Sequence, residues 1–568
     1  MNMALLGDDY LHWSLLTGRS VNVQPCSFFG LFTFADGNAA ANRAMIDSGK
    51  LVWWANDHLR IAFWRPLAEL SQALDYQLWP DSPVAMHVHN LLLYGLMILL
   101  VGKFFRDLDP DRHQAGLATW LFAGNMLHVF AVAWLASRNQ MLSGLFVVLT
   151  LLAYHHWRRS GSAWHGLLAA LCLVLGLFSA EASIQTAGYL FAYALFMEPG
   201  KPLATRLKAL VPFAVIVLVW KAEHSHLGYG SFGSPGYVDP SSNGSGFAIS
   251  LALRLPALMI AQWFGVSSAM FEQLGRSTQY LYSGAATLAL LGLAWAIHAV
   301  GGFRSALARF YALGSILALA PACAGYPFDR LTVNSDIGAS GLLSVVLLMV
   351  WRQRQALAGW GLGSAKNVLL LVGFIHLLIF PVAKVGTSAF MKTIGEAGEA
   401  QAALAIPDAT PGQTQHYLLM NLPAAESIYY IPLIRQHHGR ANPSTMRALG
   451  PNNQAMTLTR VDEVTLRLTV PTGFRGTITR DTQRQPFQVG DAVRMGDIAV
   501  RVEEITEDHA PKTVLFRFPS SVQDAQWQFL AWKEDGLYRL QPPAVGQSVD
   551  VAFYDLGQAM IKAAAQKK

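Results

Sequence analysis

The sequence predicts a mainly α protein: a polytopic bundle of membrane helices followed by an extracytoplasmic β-rich domain. Three observations carry that expectation. Of the 568 residues, 53% are apolar and only 14% charged, against roughly 25% charged in an ordinary soluble domain. Apolar runs of spanning or near-spanning length recur through the first two thirds of the chain. After about residue 387 they stop, and short alternating segments begin. A mean hydropathy of +0.31, with 30 Phe and 16 Trp, exceeds what one soluble core hides. That excludes a plain cytosolic enzyme and a disordered chain. The net charge of +6 reads as an orientation signal, because basic residues of membrane proteins gather in cytoplasmic loops, and no nucleic-acid partner is expected. Cys26, Cys172 and Cys323 are too scattered for a disulfide framework or a zinc site.

Ten crossings are expected, at about 83–102, 115–135, 141–157, 163–180, 184–198, 209–221, 279–299, 306–322, 337–351 and 367–386. Alternate connections are basic: Lys103, Arg106 and Arg112; Arg158 and Arg159; Lys201, Arg206 and Lys208; Arg304 and Arg309; Arg352, Arg354 and Lys366. These face the cytoplasm. Segment 249–275 contains Arg254, Pro256, Gln262 and Glu272. It is read as an interfacial helix within an outer loop, 222–278, that also holds the Gly/Ser/Pro-rich stretch 228–246. An even number of crossings places both ends outside, residues 1–82 forming the first outer loop region. Met1–Leu6 is no signal segment, so a further helix upstream of Met1 is expected.

The helical domain is thus expected over 1–386, a linker over 387–419 and the β-rich domain over 420–568. Strands are expected within 456–470, 476–480, 497–505 and 513–518, where apolar and polar residues alternate.

Outer-side ionisable residues are the natural candidates for chemistry, because such groups are costly near lipid. Asp8 and Asp9 stand adjacent in "GDDY"; they can serve as a helix N-cap with a neighbouring charge, or divide proton transfer and orientation. In 63–95, Arg65-Pro66-Leu67 opens a helical stretch, and His87 and Asn90 share one face at the head of a spanning helix. His89 points elsewhere. In 124–142, His128, Arg138 and Asn139 meet at an outer turn, and Glu181 sits at another. Each arginine is a headgroup anchor, an ion-pair partner or a ligand for an anion. Asn243-Gly244-Ser245, His155-His156 and His437-His438 carry no functional assignment, the histidine pairs being read as surface or interfacial.

Together these residues resemble the GT-C class of membrane glycosyltransferases, particularly the protein O-mannosyltransferase and TMTC-type branch with its bacterial relatives. The resemblance covers about residues 5–350. Asp8-Asp9 match an acidic pair of the family's first outer loop. Its Arg-Pro-Leu and Phe-His-x-x-Asn-Leu-Leu-Leu look like Arg65-Pro66-Leu67 and Met86 to Leu93. Its His-Pro-x-His-x-Glu-Ala-Val-x-Trp…Arg-x-Asp resembles 125–140, with His128, Ala131, Val132, Trp134 and Arg138 retained; Asn125, Met126, Phe130 and Gln140 depart from it. Ser179-Ala180-Glu181 is similar to its Ser-Lys-Glu turn, and Arg330 before Gly338 to its late arginine. The family's tetratricopeptide array is absent from the sequence.

The resemblance implies inverting transfer of a sugar from a polyprenyl-phosphate carrier to a hydroxyl of a protein, lipid or glycan, on the outer face of a bacterial inner membrane. The active site and the C-terminal domain would then be periplasmic. Asp8 or Asp9 would take the acceptor proton; Arg65, Arg138 and Arg330 would bind the donor phosphate; His87, Asn90, His128 and Glu181 would line the substrate site. A divalent cation, Mg or Mn, held by Asp8 and His87 is a further expectation. Two other readings stay open. A lipid-linked glycan transporter would carry ionisable groups at mid-depth and two similar halves, and a non-catalytic glycan-binding protein would keep only the scaffold.

Overall fold

The computed structural model describes residues 5–19, 30–356, 364–423, 426–451, 454–476, 478–533, 536–558 and 562; Cys26 lies outside them. By internal contacts the chain forms two compact units: Phe63–Gly228 with Val238–Met391, and Met1–Ala62 with Tyr229–Tyr237 and Lys392–Lys568. These borders differ from those expected at 82, 386 and 420. The early segment folds with the C-terminal region because its aromatic residues complete a core there. Trp53 is fully buried, its ring meets Phe474 at 4.9 Å and Phe516 at 6.0 Å, and its indole N–H donates to the Leu449 carbonyl at 3.2 Å.

The helical unit is an integral, multi-pass membrane structure. Among the described residues six helices are long and apolar enough to cross a membrane: Pro83–Leu108, Leu135–Ser160, Leu203–His226, Gly244–Phe264, Arg276–Ala299 and Ala365–Ala405. Arg112–Gly124 and Met126–Ala133 qualify only as a pair, bent by 47°. Six helices, or seven with the bent pair, thus have spanning length and composition among the described residues, against ten expected stretches. Ala163–Ser179 and Ala306–Ala322 are shorter apolar helices, while Thr186–Phe196 and Asp336–Arg352 bury much of their surface against neighbouring helices. Their apolar residues serve the protein core as well as any contact with lipid. Within the apolar window of Leu135–Ser160, 89% is buried, against 17% for Leu203–His226. The first is central and the second peripheral.

The interfacial assignment of 249–275 is also corrected. Gly244–Phe264 is one helix of spanning length, and the polar residues that argued against a crossing point inward. Arg254 Nε donates to Glu272 at 2.6 Å and Nη1 to the carbonyls of Cys323 and Gly325 at 3.1 and 3.0 Å; Gln262 Nε2 donates to Ser335 Oγ at 2.9 Å. Inward pairing removes most of the cost of polar groups at membrane depth. A crossing by Gly244–Phe264 would change the parity that placed both chain ends outside.

The second unit holds the β structure. Its three-stranded antiparallel sheet joins Thr33–Asp36, Arg60–Ala62 and Gly230–Phe232. A six-stranded antiparallel sheet runs in the order Ser548–Val551, Met456–Arg460, Thr465–Thr469, Pro511–Arg517, Ile498–Ile505, Ala492–Met495. Alternate residues of Met456–Arg460 are buried, as the alternation predicts. The described residues of 476–480 form turns instead of a strand, residue 477 lying outside the described set. A four-stranded sheet pairs His416–Leu419 in parallel with both Thr445–Ala448 and Trp527–Lys533, with Gly536–Arg539 antiparallel at the edge. Helix Ser427–His437 lies between the first two strands in sequence, the crossover that parallel pairing demands.

In the helical unit, helices Ala306–Ala322 and Asp336–Arg352 approach closely at Gly338. A Cβ there would stand 2.5 Å from the Tyr311 carbonyl oxygen and 2.9 Å from Ser315 Cβ. Gly338→Ala is therefore expected to destabilise the protein by about 1–3 kcal/mol, read as a lower thermal midpoint in detergent. An unchanged midpoint would show that the two helices part without cost.

Candidate active site

Arg138 begins the helical stretch after the Leu135–Ser137 turn and is 1% exposed. It forms an ion pair with Asp75. Its Nε donates to Asn90 Oδ1 at 2.6 Å, Nη1 to the Ser71 carbonyl at 3.1 Å and Nη2 to the Met86 carbonyl at 3.3 Å. Asn90, fully buried, also donates to the Val132 carbonyl at 3.1 Å. His89 Nδ1 meets the other Asp75 oxygen at 2.7 Å. This corrects three expectations. The donors of Arg138 are engaged inside the protein and are not presented to a donor phosphate; Asn90 holds Arg138 rather than a substrate; His89 belongs to the same network. His87 is buried, and both its ring nitrogens find no hydrogen-bond partner among the described residues.

His128 lies in the bend between Gly124 and Val129 and is likewise fully buried. Its Nδ1 meets the Tyr94 hydroxyl at 3.0 Å and its Nε2 approaches Asp336 Oδ2 at 3.3 Å. Lys384 donates to Tyr94 at 2.9 Å and to the Ala123 carbonyl at 2.6 Å. His128 therefore ties the bend to the start of helix Asp336–Arg352 rather than facing a substrate. Asp75, Asp336 and Lys384 were not among the sequence candidates. The signal was present, since Asp336 and Lys384 stand at or within apolar runs where an ionisable residue needs a reason.

The remaining candidates of this unit are more accessible. Arg65 precedes helix Pro66–Leu78 and pairs with Glu181, Nε to Oε2 at 2.9 Å, its guanidinium 4.2 Å from the Phe63 ring centroid. The other Glu181 oxygen lies 4.0 Å from His224 Nε2. The structure thus brings Arg65 and Glu181 together. Arg330, half-buried, rests on Trp134 at 4.5 Å and Phe328 at 5.0 Å, so it meets the retained tryptophan of the 125–140 motif. Phe130 packs edge-on against Phe328 at 5.0 Å. Asp329 is turned away to Ser267 Oγ, Ser268 N and Ser268 Oγ at 2.7, 2.8 and 2.8 Å, which anchors the turn that carries Arg330.

Asp8 and Asp9 belong to the other unit, in the first turn of helix Asp8–Thr17. Asp9 is buried and accepts the Leu6 amide at 3.0 Å, an interaction that closes the start of its own helix. Asp8 is half-buried and accepts a hydrogen bond from the Tyr430 hydroxyl. The two carboxylates therefore differ: Asp9 secures local backbone, and Asp8 stands against a side chain from another helix. The His437 ring, expected at a surface, packs on Tyr10 at 5.4 Å and Trp13 at 4.7 Å. His155 is also buried, meeting the Tyr193 hydroxyl at 3.0 Å.

Among the described residues no three His, Cys, Asp or Glu side chains come together as a metal-ligand group. A carboxylate can take a proton from a hydroxyl. A guanidinium stacked on aromatic rings keeps a planar fork suited to phosphate oxygens.

Asp75→Asn is expected to leave a buried guanidinium without its counter-charge, a loss of about 3–5 kcal/mol. Size-exclusion profiles in detergent should show little folded protein. Wild-type yield and stability would mean that Arg138 is held by its neutral partners alone.

No family model matches the chain. Protein O-mannosyl-transferase Tmtc1 of Drosophila melanogaster is 33% identical over 126 residues, 22% of this chain and 14% of that protein. TMTC2 of Mus musculus is 32% identical over 91 residues, 16% and 11%. TMTC3 of Homo sapiens is 24% identical over 165 residues, 27% and 18%. The chain thus spans less than a fifth of the length of these relatives. Among solved structures, the archaeal oligosaccharyltransferase AglB from Archaeoglobus fulgidus, in complex with an inhibitory peptide and a dolichol-phosphate, is 13% identical. It covers 78% of this chain and 61% of its own, with a TM-score of 0.39. ArnT from Cupriavidus metallidurans bound to undecaprenyl phosphate is 12% identical, covers 77% and 88%, and has a TM-score of 0.33; no geometry is carried over from either. The chain is similar, over 22% of its length in the case of Tmtc1, to protein O-mannosyl-transferases of the kind its motifs resemble.

Proposed function

We propose that this protein is a membrane glycosyltransferase that moves a sugar from a polyprenyl-phosphate donor to an acceptor hydroxyl, with inversion. The observation that carries the reading is the seating of Arg330 on Trp134, because the retained tryptophan of the 125–140 motif and the late arginine are distant in sequence yet meet in the fold. Similarity to protein O-mannosyl-transferases supports the sugar-transfer class. In this reading Asp8 accepts the proton of the acceptor hydroxyl as that oxygen attacks the anomeric carbon. The bond from that carbon to the phosphate oxygen breaks, and polyprenyl phosphate leaves with the electron pair. Arg330 and Arg65 supply positive charge to the phosphate, where charge grows as the bond breaks. The acceptor is a hydroxyl of a protein, lipid or glycan. The reaction belongs to the outer face of a bacterial inner membrane, a placement supported by the resemblance.

One observation favours a second reading. Asp336, His128, Tyr94 and the half-buried Lys384 form a chain of ionisable groups inside the helical unit, as a proton-coupled transporter of lipid-linked sugar would. The two are separated by incubating the protein in nanodiscs with a polyprenyl-phosphate hexose labelled in the sugar and a mixed acceptor pool. A transferase labels acceptor and releases polyprenyl phosphate in equal amounts; a transporter does neither. Arg330→Ala is expected to lower kcat/KM for the donor by about 10²-fold, with Arg330→Lys intermediate. Undiminished transfer by Arg330→Ala removes the phosphate role.

A further inference from the structure

We infer that the open face of the six-stranded sheet is a binding surface for an extended anionic glycan, one that carries phosphate or carboxylate groups along its chain. The inference stands on the second unit alone and is independent of which residues transfer sugar.

The strands give this sheet two unlike faces. Leu466, Leu468, Val500, Val502, Val514 and Phe516 are buried, so the residues between them turn the other way. On that side four adjacent strands each present an arginine: Arg467, Arg517, Arg501 and Arg494, in sheet order. The register sets them alternately on two rows, since Leu515 stands opposite both Arg467 and Arg501, and Ala499 opposite both Arg517 and Arg494. Diagonal neighbours in a sheet are about 7–8 Å apart. The arginines therefore form an evenly spaced zigzag band that runs across the strands. Arg467 is answered by Glu503, Nε to Oε2 at 2.6 Å. Arg494, Arg501 and Arg517 are exposed and make no ion pair among the described residues; Arg517 also acts on Asp462, whose carboxylate accepts the Val464 amide at 2.8 Å. Like charges at this spacing repel, and a ligand of opposite charge relieves the repulsion.

The rest of the face selects the kind of anion. The two strands beyond Arg467, Met456–Arg460 and Ser548–Val551, present Thr457, Thr459, Ser548 and Asp550 in place of basic residues, with Thr457 Oγ1 donating to Asp550 at 2.8 Å. A bilayer laid over the whole face would press Asp550 against headgroup charge, whereas a narrow chain can follow the band alone. Among the described residues of the six strands no aromatic side chain stands on this side. The face therefore lacks the platform on which bases stack and the aromatic anchors that dominate protein interfaces. A hydrophilic polyanion needs neither. Its phosphate or carboxylate groups match the planar fork of each guanidinium, and its sugar hydroxyls find partners in the threonine and serine hydroxyls alongside.

The test uses the full-length protein in phosphatidylcholine nanodiscs, with fluorescein-labelled polygalacturonate and poly(glycerol phosphate) oligomers as probes and neutral dextran as control, read by fluorescence anisotropy. At least one anionic polymer is expected to bind, more tightly as its length grows and more weakly as salt is added, and dextran is not. Arg494→Gln, Arg501→Gln and Arg517→Gln are each expected to weaken binding about 3–5-fold, and the triple variant about 50-fold. Arg539→Gln, on the four-stranded sheet, should leave it unchanged. The single variants, at exposed positions, keep the test open if the triple variant folds poorly. Failure of both anionic polymers to bind, equal binding of dextran, or wild-type affinity in the three single variants and the triple variant overturns the inference. So does protection of the three arginines from phenylglyoxal by phosphatidylglycerol nanodiscs with no polymer present, which would give the face to the bilayer.

Discussion

The constraint on which the helical unit depends is that a guanidinium inside a low-dielectric bundle must be fully paired. Arg138 meets it with Asp75, Asn90 and two backbone carbonyls. Those partners come from helices Pro66–Leu78 and Pro83–Leu108, so one side chain fixes two helices against the start of a third. The interrupted backbone just before Arg138 follows from the same need. An unbroken helix from residue 112 to 160 would carry Trp134 and His128 along one straight axis, whereas the breaks at Asn125 and Trp134 return the chain so that Arg138 reaches Asp75, His128 reaches Asp336 and Trp134 lies beneath Arg330. A buried pair of this kind contributes less to net stability than to excluding other arrangements.

The altered positions of the 125–140 motif fit that geometry. Asn125 caps the bend, its Oδ1 accepting the Leu127 amide at 2.9 Å. Met126 reaches towards Gly265, where a Cβ would come within 3.2 Å of its terminal methyl. Phe130 packs on Phe328 beside Arg330. Three of the four departures therefore have a partner in the structure, and they change a polar lining into a capped and aromatic one. Arg330 rests on the ring faces of Trp134 and Phe328, which stabilise a cation.

What the sequence disclosed and what it hid divide along one line. Hydropathy windows found the apolar stretches, and alternation found strands such as Met456–Arg460 and Ile498–Ile505, because both signals are local. Direction is not local. Arg254 and Gln262 argued against a crossing only while it was unknown that they point to Glu272 and Ser335. Arg65 and Glu181, 116 positions apart, were each singled out, yet their pairing could not be read. Asp75 gave no sign at all, standing in an amphipathic helix where an aspartate ordinarily faces water. The docking of residues 30–62 on the C-terminal region was hidden for the same reason: Phe474, Phe487 and Phe516 meet Trp53 and Trp54 only in the fold.

Within that unit the two adjacent carboxylates of helix Asp8–Thr17 take different partners. Asp9 accepts the Leu6 amide at the mouth of its helix, where the first backbone N–H groups lack partners and negative charge is favoured. Asp8 accepts from the Tyr430 hydroxyl, a side chain of another helix. A lone aspartate at position 8 would face competing demands from its own backbone and from Tyr430. A lone aspartate at position 9 would be buried and closed to any acceptor. The adjacent pair separates the two tasks by burial and by partner, so a motif that reads as redundant in sequence is a division of labour in the fold.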